Sequence, residues 1–382
     1  MNRLLKIALT LLLFVICLNV SAQQIDTIKI QSTAFNKERI VYIHTPYKQK
    51  YISDKVKLPV IFVLDGQHEW FADPVVQNIK ALQYTHQVPH ALIVVIPHQN
   101  RYTECAIKDI NTVSPLEQFI TKEVAEAIEK YNVGKDRLII GHSFSSSFAF
   151  KAFLKNRNFF TGVFMHTPLD KMEELLPLAQ QQKDLNKKNV FYSVGGIADH
   201  LDTFHRKAFD GFKLKYANFM EGIHTLAIDE ARHNTVPIVA NPAFLLNYYA
   251  RMSDRFVDIA RVDENYSIVT APESVEVEMR KISKASLYNG EMQIPEIAEF
   301  NGIASRYWHN KHYDHGIAVY NMALEYYSKL GEFHLSLYEL HTEKKDNAKA
   351  IEHLKKARAL IVQYEEANEQ MLKEIDVVLN KG

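Results

Sequence analysis

Six short apolar runs recur between residues 58 and 229: "LPVIFVLDG" (58 to 66), "HALIVVIP" (90 to 97), "RLIIGHS" (137 to 143), "TGVFMHTP" (161 to 168), "NVFYSVGG" (189 to 196) and "GIHTLAID" (222 to 229). Longer, helix-compatible stretches separate most of them. A strand that is apolar along its whole length must be covered on both faces. Six such strands with helices between them predict an α/β fold, a mostly parallel sheet with helices on both faces. Upstream, "IDTIKIQS" and "RIVYIHTP" flank "TAFNKE" and predict an antiparallel hairpin.

The start of the chain reads differently. "MNRLLKIALTLLLFVICLNVSAQQ" carries Arg3 and Lys6, an apolar stretch and the small-residue site Val20-Ser21-Ala22. This predicts a signal peptide over 1–22, cleaved after Ala22, and a secreted or periplasmic protein. A lipoprotein reading at Cys17 fits less well, because Phe14 and Ile16 are poor residues before a lipidated cysteine. No later stretch is long and apolar enough to predict a membrane span. Without the leader Cys105 is the only cysteine, so no intramolecular disulfide is available and stability must come from the core. The 45 basic residues balance 45 acidic ones, which gives no case for nucleic acid or an anionic membrane as partner.

The sheet domain is expected over 23–250, followed by a polar connector over 251–294. From 295 to 382 the chain is expected to be helical and to repeat. "HGIAVYNMALEYY" and "KAIEHLKKARALI" superpose with Gly316 on Ala350, Tyr320 on Leu354 and Ala323 on Ala357, each 34 residues apart. That is the tetratricopeptide period. Two such units are too few to stand alone, so the segment is expected to lean on the sheet domain or on a final helix near 361 to 379. It is also where a protein partner would bind.

The candidate chemistry sits at Gly141-His142-Ser143-Phe144-Ser145, where a strand runs into a helix. A sharp turn there presents a serine hydroxyl above the sheet edge. The helix before it is well marked: Ser114 as cap, Pro115 at the first position, Glu117 closing a capping box, and Leu116, Phe119, Ile120, Val124 and Ile128 on one face. A serine nucleophile needs a base and an orienting acid, in this fold class in the order Ser, acid, His. His233 follows the last apolar run into a polar loop and is the expected base. Asp199, nearest the end of "NVFYSVGG", is the expected acid, with Asp202 as the alternative and as a possible helix cap. The backbone amides of Phe144 and Gln67 are the expected oxyanion donors. Trp70 and Arg101 are expected at the substrate. Two clusters, Asp199/His200/Asp202/His205 and His309/His312/His315, lack the spacing of a recognised zinc site, so neither metal nor cofactor is expected.

With these pieces in place, the chain resembles the esterase family of α/β-hydrolases, which includes siderophore esterases, feruloyl and other carbohydrate esterases and S-formylglutathione hydrolase. The resemblance rests on "RIVYIHTP", "LPVIFVLDG", "ALIVVIPHQNR", "PLEQFITKEVAEAIEKY", "GHSFSSSFAF" and "ARHNTVP", between residues 25 and about 248. It implies a serine hydrolase cleaving small-molecule or glycan-linked esters, with Asp65, Gly66 and Gln67 in the oxyanion loop, Ser143 as nucleophile and His233 as the terminal histidine. Three departures stand out. Ser145 replaces the elbow glycine, the acid loop matches loosely, and "FMHTPLD" stands in place of a serine-proline-serine turn. They keep open a second reading, a binding protein on an esterase-like frame whose helical tail recruits a partner.

Overall fold

The structure, a computed structural model, describes residues 25–380 except 47–48, 54–55, 251, 253, 289–290, 294 and 365–368. The leader read over 1–22 lies outside the described residues. All eight strands expected from the sequence form one sheet, in the order β1-β2-β4-β3-β5-β6-β7-β8. The hairpin β1 (Ile25–Ser32) and β2 (Lys37–His44) is antiparallel and joins β4 (Leu92–Val95) antiparallel. From there β3 (Leu58–Val63), β5 (Val133–His142), β6 (Gly162–His166), β7 (Val190–Gly195) and β8 (His224–Ile228) are parallel.

The unbroken apolar runs are explained by the two layers that cover them. Val60 and Phe62 pack with α3, α4 and α6, whereas Ile61 and Val63 pack with α1 and α8. Here α1 is Glu69–Tyr84, α2 Arg101–Glu104, α4 Phe144–Lys155, α5 Met172–Gln181, α6 His200–Lys215, α7 Ala217–Met220 and α8 Val236–Tyr248. Helix α3 joins Pro115–Gln118, a π-helical stretch Phe119–Val124 and Ala125–Ala127. Ser114 caps it as expected, its Oγ accepting the Glu117 amide at 3.2 Å. The expected capping box does not form. Glu117 is buried and instead accepts Lys151 Nζ and Asn156 Nδ2, each at 2.7 Å, because the buried Lys151 requires a counter-charge.

Beyond α8, the segment expected to be a polar connector contains helix α9 (Val275–Ala285), capped by Ser274, and the short hairpin of β9 (Leu287–Tyr288) and β10 (Glu291–Met292). Ile282 is fully buried in the core of the tail, so this stretch is part of the helical layer. The remaining helices are α10 (Ile297–His309), α11 (Tyr313–Tyr326), α12 (Gly331–Glu343), α13 (Asn347–Tyr364) and α14 (Glu369–Leu379). Helices α10 and α12 begin 34 residues apart, as do α11 and α13. Tyr320, Ala323, Leu354 and Ala357 are buried at matching places. The tail docks on the strand N-termini: Tyr51, Val56 and Leu58 share one apolar cluster with Phe256, Phe300 and Tyr327. The Glu291 carboxylate accepts the amides of Lys135 and Asp136 at 2.7 and 3.1 Å. No helix among the described residues is long and apolar enough to cross a membrane.

Candidate active site

β5 ends at His142 and α4 begins at Phe144, which leaves Ser143 alone to make the bend. It does so at φ 57° and ψ −117°, a conformation that an L-residue holds only when its surroundings enforce it. Its amide is fixed by a 2.8 Å bond to the His166 carbonyl. The bend is tight: a Cβ on Gly141 would meet the Ser145 carbonyl oxygen at 2.5 Å. Position 145 nevertheless accepts a side chain, because its hydroxyl turns under the bend, where Oγ accepts the His142 amide at 3.0 Å.

His233 arrives from the loop after β8. Ser143 and His233 line the same cavity of about 280 Å³, together with Trp70, Arg101, Phe144 and Leu201. The loop is held by its backbone: the His233 amide donates to Asp202 Oδ1 at 2.7 Å, and the His233 carbonyl accepts His142 Nε2 at 2.9 Å. The imidazole lies between two others, with His142 at 4.6 Å and His205 stacked at 4.7 Å between ring centres. Burial, followed by the neighbouring His205 and Arg101, lowers its pKa to about 4, so the ring is neutral at physiological pH. His233 Nδ1 is buried without a partner. Among the described residues no hydrogen bond joins Ser143 Oγ to His233.

The two aspartates have different surroundings. Asp199 caps α6, accepting the Asp202 amide at 2.9 Å, and its carboxylate is exposed. Asp202 is buried, holds the His233 amide with Oδ1 and keeps Oδ2 buried without a partner. Helix geometry explains the difference: Asp199 is three residues before the amide that needs a cap, and Asp202 is turned inward.

The loop after β3 supplies the other wall. Asp65 adopts φ 59°. Gly66 passes so close to the exit of β4 that a Cβ would lie 2.7 Å from Val95 Cγ1 and 2.9 Å from the Pro97 nitrogen. The backbone amides of Gln67 and Phe144 have no partner among the described residues. Trp70 is 40% exposed and sets its ring edge-on to His142 at 5.3 Å. Arg101, expected at the substrate, lines the cavity but spends its guanidinium on the protein. Nε and Nη2 bind Asp65 at 2.6 and 3.2 Å, and Nη2 also binds the His142 carbonyl at 2.6 Å. Sequence reasoning missed the clamp that His142 and His205 form on His233, since nothing local marks a histidine as a ring neighbour. No group of three or more His, Cys, Asp or Glu among the described residues is arranged to hold a metal ion.

Comparison with known proteins agrees with this architecture. Residues 32–207 match the Esterase family model, described as "Putative esterase". An IroE-like serine hydrolase from Shewanella oneidensis superposes with a TM-score of 0.58 at 16% identity, covering 78% of this chain and 98% of its own. An uncharacterised protein from Capnocytophaga ochracea superposes with a TM-score of 0.56 at 13% identity, covering 93% of this chain and 100% of its own. At such identities the likeness is one of fold, and the second extends it into the helical tail. None of the curated proteins matches the chain.

Proposed function

We propose that this chain is a serine hydrolase that cleaves carboxylic esters through an acyl-enzyme on Ser143. The observation that carries the reading is the meeting of Ser143, held at positive φ on a strand-to-helix bend, with a neutral His233 in one cavity. The match of residues 32–207 to an esterase family supports the same reaction. Ser143 Oγ attacks the ester carbonyl carbon and gives its proton to His233. The tetrahedral oxyanion is met by the amides of Phe144 and Gln67, each such donor contributing about 2.7–4 kcal/mol of barrier reduction. Collapse breaks the C–O bond, and the leaving alkoxide takes the proton from His233. Water, deprotonated by His233, then attacks the acyl-enzyme and releases the acid, returning the proton to Ser143.

Asp202 is the orienting acid in this reading. Its Oδ2 and His233 Nδ1 are both buried and unpartnered, and pairing them would fix the tautomer that accepts a proton from Ser143. Hydrogen bonds of such sites are commonly long before substrate binds, which accommodates the open Ser143–His233 pair. The substrate class fits siderophore or carbohydrate esters met outside the cytoplasm, where the leader over 1–22 would send the protein.

Labelling with a fluorophosphonate probe tests the nucleophile. Wild-type protein is expected to react, and Ser143→Ala to lose both labelling and turnover of short-chain p-nitrophenyl esters by at least about 10³-fold. Labelling that persists in Ser143→Ala would remove Ser143 from the mechanism. A wild-type protein with neither labelling nor turnover would favour the binding-protein reading, to which the open Ser143–His233 pair also lends weight.

A further inference from the structure

Position 145, where the esterase resemblance leads one to expect glycine, carries a fully buried serine whose hydroxyl has three polar neighbours. Ser145 Oγ accepts the His142 amide at 3.0 Å, lies 3.0 Å from the His142 carbonyl and donates to Asp65 Oδ2. Asp65 is 1% exposed and serves as a hub. Its Oδ1 accepts Arg101 Nε at 2.6 Å and Gln67 Nε2 at 3.2 Å, and its Oδ2 accepts Arg101 Nη2 at 3.2 Å. Arg101 closes the ring by donating from Nη2 to the His142 carbonyl at 2.6 Å.

The ring therefore grips both backbone groups of His142, the residue before Ser143, and the side chain of Gln67. These are the two segments that carry the unpartnered amides; the ladder between β3 and β5 ends where the Leu64 amide donates to the Ile140 carbonyl at 3.0 Å, and past that point no backbone hydrogen bond among the described residues joins them. A glycine at 145 would satisfy the crowding at the bend but could not make this tie. A serine does both.

Building on the esterase reading, we propose that Ser145 is a positioning residue: through Asp65 and Arg101 it holds the elbow and the oxyanion loop at the separation that lets the Phe144 and Gln67 amides share one oxyanion. The brace acts on the transition state, because the ground-state ester places no full charge between the two amides. A displacement of about 1 Å between such groups costs about 10²-fold in rate.

The test is steady-state kinetics of Ser145→Ala on a p-nitrophenyl ester, together with inhibition by phenylboronic acid, which forms a tetrahedral adduct on the nucleophile. The expected result is a kcat lower by about 10- to 100-fold, KM within about twofold, and boronate affinity lost by a similar factor to kcat. Asp65→Asn in the same background should add much less than it costs alone, since both variants break one ring. Should the alanine variant fail to fold, Ser145→Gly removes the hydroxyl while keeping the smallest residue at the bend, and the same readings apply. A folded variant with kcat within about threefold of wild type overturns the proposal. That outcome is separable from failure of the esterase reading, in which wild type itself would show no Ser143-dependent turnover.

Discussion

The two ends of the sheet are built to opposite rules. At the C-terminal end, β3, β5 and β6 lead into Asp65, Ser143 and Thr167, all at positive φ (59°, 57° and 48°). Nearby, His233 Nδ1, Asp202 Oδ2, His205 Nε2 and His166 Nε2 are buried without partners. At the N-terminal end the chain enters β5 through Asn132 at φ 58°, a residue type that takes this conformation readily. The start of β3 is sealed by the apolar cluster of the helical tail through Leu58, and Glu291 satisfies two of the amides near the start of β5. The strained strand exits are gathered at one end and packing stabilises the other, where His90 Nδ1 and Gln293 Nε2, beside the start of β3, are also buried without partners. The difference teaches that the tail supports the fold while lining none of the cavity that holds Ser143 and His233.

The strongest challenge to this division is Phe300→Ala. Phe300 is fully buried among Tyr326, Tyr327 and Phe333, and its loss should cost about 3–5 kcal/mol of stability. In protein that remains folded, kcat and KM on a p-nitrophenyl ester should stay within about twofold of wild type. A large fall in kcat without unfolding would mean that the two ends are coupled.

A smaller effect separates the two aspartates. Asp202→Asn should lower kcat by about 10- to 100-fold, whereas Asp199→Asn, which still presents a capping oxygen to α6, should change it by less than about threefold. The reverse ranking in the same assay would return the orienting role to Asp199.

The gentlest probe is pH. The base works only when unprotonated, and burial holds His233 at about 4, below the usual histidine value near 6.5. Protonation therefore begins to remove activity only as the pH falls toward 4, and the acid limb of kcat/KM should lie there. Because kcat/KM reports the free enzyme, a limb at 6.5 or above would show that the ring is solvated, or already paired with Asp202, before substrate binds. The same shift predicts that acid weakens the fold: between about 6.5 and 4 the unfolded chain binds a proton that the buried ring refuses, so stability falls as pH falls through that window.

Much of this was legible in the chain itself. The eight strands follow from apolar runs and one alternating hairpin, because the side-chain pattern of a strand reports which of its faces are covered. Ser143 is legible for a steric reason: a strand that meets a helix within one residue needs Gly141 small and the serine bent. Ser114 announced the start of α3, since a cap is a contact over three residues. Glu117 misled for the complementary reason, its partner Lys151 being 34 positions away.

Local pattern alone determined the strands, the start of α3 and the position of the bend, since each depends on neighbours within a turn or two of backbone. Only the tertiary structure decided which aspartate accepts the His233 amide, which rings clamp its imidazole, and that Ser145 reaches Asp65. Those contacts join residues 31, 91 and 80 positions apart, and no local periodicity specifies a pairing that forms only after the sheet has closed.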